Sequence, residues 1–278
     1  MNRTRTVVHF QVRGPDSRPI PVVVEVPHAG LAVDPAALAT LVAPARALGF
    51  DADLLVDELF QDAPALGASM LTATTSRYVC DLNRSESDVD GRSVEGASRG
   101  PFPHGLIWRS TTSDLPALAR PLPRQELERR LEQIYRPYHR CLQGLIDETR
   151  ARFGFAIVLA AHSMPSRGRW GHADHGSPRA DVVPGTRGRT TAHAAVIDCV
   201  EAVATERGFS VKHDDPYRGG YTTATYGRPR QAVHAIQVEL SRALYMDETT
   251  LTKKPNDFES IRELCRAMVA ELGTLALA

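Results

Sequence analysis

Net charge is missing from this sequence: 33 Lys and Arg residues are balanced by 33 Asp and Glu. Such a balance gives no long-range pull toward nucleic acid or an anionic membrane, so recognition of a charged partner has to be local. No stretch reaches the roughly 18 uninterrupted apolar residues of a membrane span. The N-terminal run MNRTRTVVHFQVRG is basic but lacks the apolar segment of a secretory signal. Cysteine is scarce, and Cys80, Cys141, Cys199 and Cys265 are far apart with no CxxC pair. These read as reduced, mostly buried thiols of a cytoplasmic protein rather than as a disulfide framework or a thiolate metal site. Aromatics are few where they would matter for nucleic acid. The arginine-rich stretch 164–190 holds only Trp170 to stack on a base.

What is present is the composition of an ordinary globular protein, 42% hydrophobic and 24% charged. Strand-like and helix-like stretches alternate, which predicts a mixed sheet covered by helices. The β-branched run PVVVEV (21–26) stops at Pro27-His28-Ala29-Gly30. Asp34 reads as an N-cap with Pro35 at the first helical position. A short helix near 53–62 and strands near 69–74 and 78–82 follow. Residues 85–123 are irregular, and long irregular segments in compact enzymes often serve the active site. From Arg124 to Phe153 the spacing of Leu127, Leu131, Ile134, Tyr138, Leu142 and Leu145 predicts a long helix ended by Gly154. The apolar run FAIVLAA stops at His162-Ser163. A loop over 164–190, a helix over 191–207, a strand over 235–240 and a helix over 257–275 complete the reading. No repeat or linker divides the chain, so a single domain over 1–278 is expected.

His28, His162 and Glu239 share an address, each at or near the C-terminal end of an expected central strand. Ligands bind at that edge of open α/β sheets. Two histidines and a carboxylate that leave one position open form the usual set of a catalytic zinc. The plainer alternative is three strand-end polar groups bonded to neighbouring loops. In SRYVCDLNR (76–84), Arg77, Asn83 and Arg84 flank an apolar centre. A guanidinium fork suits a substrate carboxylate, and a second one suits a developing oxyanion. A surface strand with paired arginines is the other reading. In PYRGGY (216–221), Gly219 and Gly220 allow close backbone approach and Tyr221 offers a hydroxyl. A plain turn fits equally.

The ordered set VPHAG, DAD, SRYVCDLNR, GLIW, YRPYH, AHSMPSRG, GGY…YG and QVELS, spanning about residues 20 to 248, resembles the N-formylglutamate amidohydrolases. The resemblance implies a three-layer α/β/α sandwich with a central mixed sheet, similar to zinc carboxypeptidases and aspartoacylases, and one catalytic zinc. Carried over, His28 and His162 are zinc ligands. The carboxylate ligand falls in Asp51-Ala52-Asp53, with Asp53 preferred to Asp51, because the carboxypeptidase position three residues after the first histidine is Leu31 here. Glu239 takes the role of general acid and base, Asn83 and Arg84 grip a substrate carboxylate, and Arg77 polarises the scissile carbonyl. The family often has an acid two residues before the second histidine, where this chain has Ala160. Losing an outer partner of that kind weakens metal binding by about 10–100-fold.

The implied reaction is hydrolysis of a small acidic N-acyl amino acid, N-formyl-L-glutamate above others, in histidine breakdown. Two other readings stay open: hydrolysis of another N-acyl amino acid or short peptide, and a non-catalytic binding protein on the same scaffold. In the 164–190 loop, Arg167, Arg169, Arg179, Arg187 and Arg189 are candidates for a distal carboxylate or simply solvated charges. His172 and His175 are left outside the site.

Overall fold

The computed structural model describes residues 8–169 and 172–277. Trp170 and the basic N-terminal residues 1–7, on which part of the sequence reading rests, lie outside them. Six strands form the main sheet: β1 (Phe10–Arg13), β2 (Val22–Val26), β3 (Ser69–Ala73), β4 (Ala156–Met164), β5 (Val182–Gly185) and β6 (Val233–Ser241), in the order β1-β3-β2-β4-β6-β5. The central strands β3, β2, β4 and β6 run parallel, and the edges β1 and β5 are antiparallel. Every residue of β2, β4 and β6 is buried. That is why β2 and the start of β4 read as near-continuous apolar runs rather than as alternation: helices cover both faces.

The helices are α1 (Pro35–Leu38), α2 (Ala45–Asp51), α3 (Val56–Leu59), α4 (Arg124–Arg130), α5 (Arg136–Phe153), α6 (Ala194–Thr205), α7 (Tyr221–Tyr226) and α8 (Pro255–Thr274). On one face Val22, Val24, Val26, Ile157, Leu159 and Ile236 pack with α6 and α8 through Val196, Val200, Leu264 and Met268. On the other, Val23, Val158 and Ala235 pack with α5 through Tyr138, Leu142 and Ile146. The result is the expected α/β/α layering about a mixed sheet.

Three local expectations are corrected. The segment 78–82 is no strand: Val79 N–H bonds Ser76 O at 2.9 Å and Asp81 N–H bonds Leu106 O at 2.9 Å, in a folded-back turn. Its apolar residues Tyr78, Val79, Cys80 and Leu82 are buried as a plug under the 85–123 segment, so burial without a strand made them apolar. The 164–190 loop contains β5. The long helix is real but interrupted by a π-helical turn at Leu131–Tyr135 between α4 and α5. Such turns recur near functional sites, and here Tyr135 Oη donates to the Arg84 carbonyl at 2.7 Å. Asp34 does cap a helix, accepting from Ala36 and Ala37 N–H at 3.0 Å each, although that helix is a single turn.

Candidate active site

The parallel strands deliver their polar ends to one edge. His28 follows β2 by two residues. His162 lies in β4 directly opposite Glu239 of β6, on the same face of the sheet. Asp53 arrives from the turn after α2, where its N–H bonds the His28 carbonyl at 2.9 Å. One donor atom from each of His28, Asp53 and His162 lies within 4.8 Å of the other two, and all three residues are buried. A donor set of two imidazoles and a carboxylate is that of a divalent transition metal, zinc among them.

Each donor is held by a partner. Asp53 Oδ2 lies 2.9 Å from His162 Nδ1 and 3.5 Å from His28 Nδ1, while Arg242 Nη2 donates to Oδ1 at 3.1 Å. His28 Nε2 lies 2.8 Å from Asp81 Oδ1, and Trp108 Nε1 donates to Asp81 Oδ2 at 2.9 Å. A carboxylate behind a ligating histidine fixes the ring and leaves its other nitrogen free to bind. On His28 that other nitrogen accepts from Arg77 Nη2 at 2.7 Å, so an ion bound through it requires the Arg77 contact to give way.

The charges are arranged to suit a cation. Burial, then the nearby Arg77 cation, hold His28 below its ordinary pKa. Burial disfavours a charge on Asp53, but the hydrogen bond from His162, the nearby His28 ring and the Arg77 charge outweigh it and hold the carboxyl well below its usual range. His162 is likewise opposed by burial yet raised by its bond to Asp53 and the charge of Glu239. The proton that Asp53 and His162 share is the one a metal ion would replace.

Above this cluster is a cavity of about 450 Å³, lined by His28, Asp53, His162 and Glu239 and by Arg77, Asn83, Arg84, Gly219 and Gly220. Its size is that of a small-molecule site. Arg84 donates only to backbone carbonyls, His104 O at 2.9 Å and Asn83 O at 2.9 Å, and has no carboxylate partner among the described residues. Tyr221 turns away from the cavity, with its ring against Tyr135 and His139. Asp51 does line it, but its carboxylate is taken by Tyr78, Thr112 and Arg169. Those bonds leave Asp53 as the carboxylate of the cluster.

Of the loop arginines, Arg169 pairs with Asp51 at 3.1 Å and Arg179 with Asp174 at 2.7 Å. Arg189 pairs with Asp198 and Glu201. Arg167 and Arg187 donate to the carbonyls of Gly176 and Gly219. His172 lines the cavity and lies 3.3 Å from Arg179.

Ala160 sits between Glu25 on β2 and Gln237 on β6 in register, so the acid absent from position 160 has a carboxyl one strand away. Glu25 is wholly buried, with Oε1 accepting from Tyr138 at 3.0 Å and Thr222 at 3.2 Å. Four residues with evident roles here, Asp81, Gln237, Arg242 and Glu25, were not singled out from sequence. The only signals were Asp81 inside SRYVCDLNR, and Gln237 and Arg242 flanking Glu239-Leu240-Ser241.

Buried imidazoles and carboxylates at the C-terminal edge of a parallel sheet, beneath a cavity rich in arginine, define a hydrolase of the amidohydrolase kind. The chain belongs to the N-formylglutamate amidohydrolase family, whose model matches residues 20–246. It is 35% identical over 263 residues to an N-formylglutamate deformylase of Pseudomonas aeruginosa, covering 91% of each chain. A second N-formylglutamate deformylase, from Pseudomonas putida, is 34% identical over 233 residues, 83% of each. The crystal structure of an N-formylglutamate amidohydrolase from Ralstonia eutropha JMP134 superposes with a TM-score of 0.86 at 29% identity, covering 96% of this chain and 98% of that one. The gene product Atu2144 of Agrobacterium tumefaciens shares the fold, with a TM-score of 0.61 at 18% identity over 94% and 95% of the two chains. The resemblance read from the sequence therefore holds.

Proposed function

We propose that the protein is a cytoplasmic, zinc-dependent deformylase, one catalytic domain that hydrolyses N-formyl-L-glutamate to formate and L-glutamate. The observation that carries this reading is the convergence of His28, Asp53 and His162, with Glu239 in register beside His162, at the floor of a cavity whose Arg84 has no carboxylate partner among the described residues. The curated relatives bear the name of that activity.

His28, Asp53 and His162 would hold the ion. When bound, zinc supplies a Lewis acid that polarises the substrate carbonyl and makes water a stronger acid. The remaining steps belong to the chain. Glu239 accepts a proton from water as its oxygen bonds the formyl carbon, then delivers that proton to the glutamate nitrogen as the C–N bond breaks. Burial raises the pKa of Glu239, with His162 pulling the other way and Asp53 adding to the rise. A carboxyl so raised is a better base. Arg77 supplies positive charge for the developing oxyanion. Arg84 and Asn83 hold a substrate carboxylate, with Gly219 and Gly220 forming the adjoining wall, so binding energy becomes positioning.

The test is metal content of the purified protein together with hydrolysis of N-formyl-L-glutamate before and after chelation. The expected result is about one zinc per chain and activity that chelation abolishes and zinc restores. Absence of metal after zinc is supplied, or activity indifferent to chelation, overturns the proposal.

A further inference from the structure

Gln237 is buried on β6, two residues before Glu239 and on the same face of the sheet, and it lines the cavity. Its amide has one possible orientation. The Gly220 N–H can only donate, and it does so to Gln237 Oε1 at 2.9 Å. Asn83 is fixed in the same way: its Oδ1 accepts the Thr222 N–H at 2.9 Å, which turns Nδ2 toward Gln237 Oε1 at 3.4 Å. With its oxygen committed to two donors, Gln237 presents Nε2–H to Glu239 Oε1 at 2.8 Å. The donations run in one direction from the α7 backbone through two side-chain amides to a single oxygen of Glu239. The path is closed to larger side chains, since a Cβ on Gly220 would stand 2.3 Å from Asn83 Nδ2.

Glu239 Oε2 has no hydrogen-bond partner among the described residues. The chain of amides therefore distinguishes the two oxygens of a symmetric group, pinning one and leaving the other to react. We propose that Gln237 is a positioning residue for the hydrolysis, holding Glu239 Oε1 so that Oε2 handles the proton, and tying that carboxylate to the Gly219–Gly220 wall of the substrate cavity. The inference rests on the deformylase reading above and deepens it. A carboxylate free to rotate would meet its target in only part of its orientations, and misplacement of about 1 Å at a reacting group costs about 100-fold.

The test uses two variants of the zinc-loaded enzyme. Gln237→Leu removes the donor and the acceptor. Gln237→Glu keeps the acceptor for Gly220 and Asn83 but offers Glu239 no N–H when ionised. For both, kcat is expected to fall about 10–100-fold. For Gln237→Leu, which orphans the Gly220 N–H and lowers the melting temperature on that account alone, zinc affinity by chelator competition should stay near wild type while kcat falls, a split that a merely structural role would not produce. Where Gln237→Leu fails to fold, Gln237→Glu carries the test through kcat and zinc affinity. A kcat within twofold of wild type in Gln237→Glu overturns the inference. So does a loss of zinc affinity in step with the loss of kcat in Gln237→Leu. If wild type is active and these variants match it, only this inference falls. A wild-type enzyme inert toward N-formyl-L-glutamate removes the deformylase reading itself.

Discussion

Arg242 and Asp53 meet at 3.1 Å, and the contact uses only Oδ1 of the carboxylate. Oδ2 is thereby turned to His162 at 2.9 Å and His28 at 3.5 Å. Arg242 is itself fixed by Ser163 Oγ at 3.1 Å and the Phe50 carbonyl at 2.8 Å. The guanidinium thereby leaves Oδ2 as the oxygen that would meet an ion. Replacing it by Met, which fills similar space without the donors, should weaken zinc binding by about 10–100-fold. Competition with a chelator of known affinity measures this; an unchanged affinity would mean that the turn after α2 positions Asp53 unaided.

Glu239→Gln should separate chemistry from metal binding. Glu239 lies opposite His162 in the sheet but outside the three-residue donor cluster. Loss of a general base costs about 100- to 10,000-fold in turnover, and bound zinc should stay stoichiometric. Metal analysis beside kcat decides it: a variant that loses its zinc contradicts this division of roles.

Asp81 is a buried anion with four partners, accepting from His28, Trp108 and the Asn83 N–H, and pairing with Arg77 at 3.3 Å. Removing it in Asp81→Ala leaves the Arg77 cation short of its partner in a buried setting. Breaking a buried pair from one side costs about 3–5 kcal/mol. Urea unfolding of the metal-free protein would read the loss, and a change below about 1 kcal/mol would show Arg77 to be satisfied by Asp53 and the Asp51 carbonyl alone.

Glu25 should make stability depend on pH. Burial lifts its pKa from an ordinary 4.5 to about 7, the His162 charge and the hydrogen bonds from Thr222 and Tyr138 notwithstanding, and its Oε2 has no hydrogen-bond partner among the described residues. Between those two values the native chain holds a proton that the unfolded chain has released. Stability from this group is therefore full below pH 4.5 and lost as pH rises through about 7, to a total of about 3 kcal/mol. Glu25→Gln should match wild type near the acid end and exceed it on the alkaline side. Urea midpoints of the two metal-free proteins at both ends are the check, and equal slopes with pH would refute it.

The strands and their polar ends were legible because a run such as FAIVLAA breaks off at His162, and PVVVEV at Pro27-His28. Burial on both faces wrote β2 and β4 into the composition. Asp53 followed from family resemblance alone. Its backbone bond to His28 joins stretches that no local periodicity connects. The same apolar signal misled at Tyr78–Leu82, where burial under a loop looks in sequence like burial in a sheet. Gln237 and Arg242 escaped notice for a related reason. One polar residue in or after a buried strand carries no mark of its partners, which here are Asn83 and Gly220 for the first and Asp53 and Ser163 for the second.

The cage depends on parallel pairing between β2 and β4, whose histidines are separated along the chain by the whole of α1 to α5. Closing so long a loop precedes any gain from the contacts it brings together. No short peptide of this protein can assemble the three donors, so a metal ion held by them would load only once the chain has folded. The apoprotein should emerge from synthesis already folded, and its final occupancy would then be set by the free zinc it meets rather than by the zinc present while it folds.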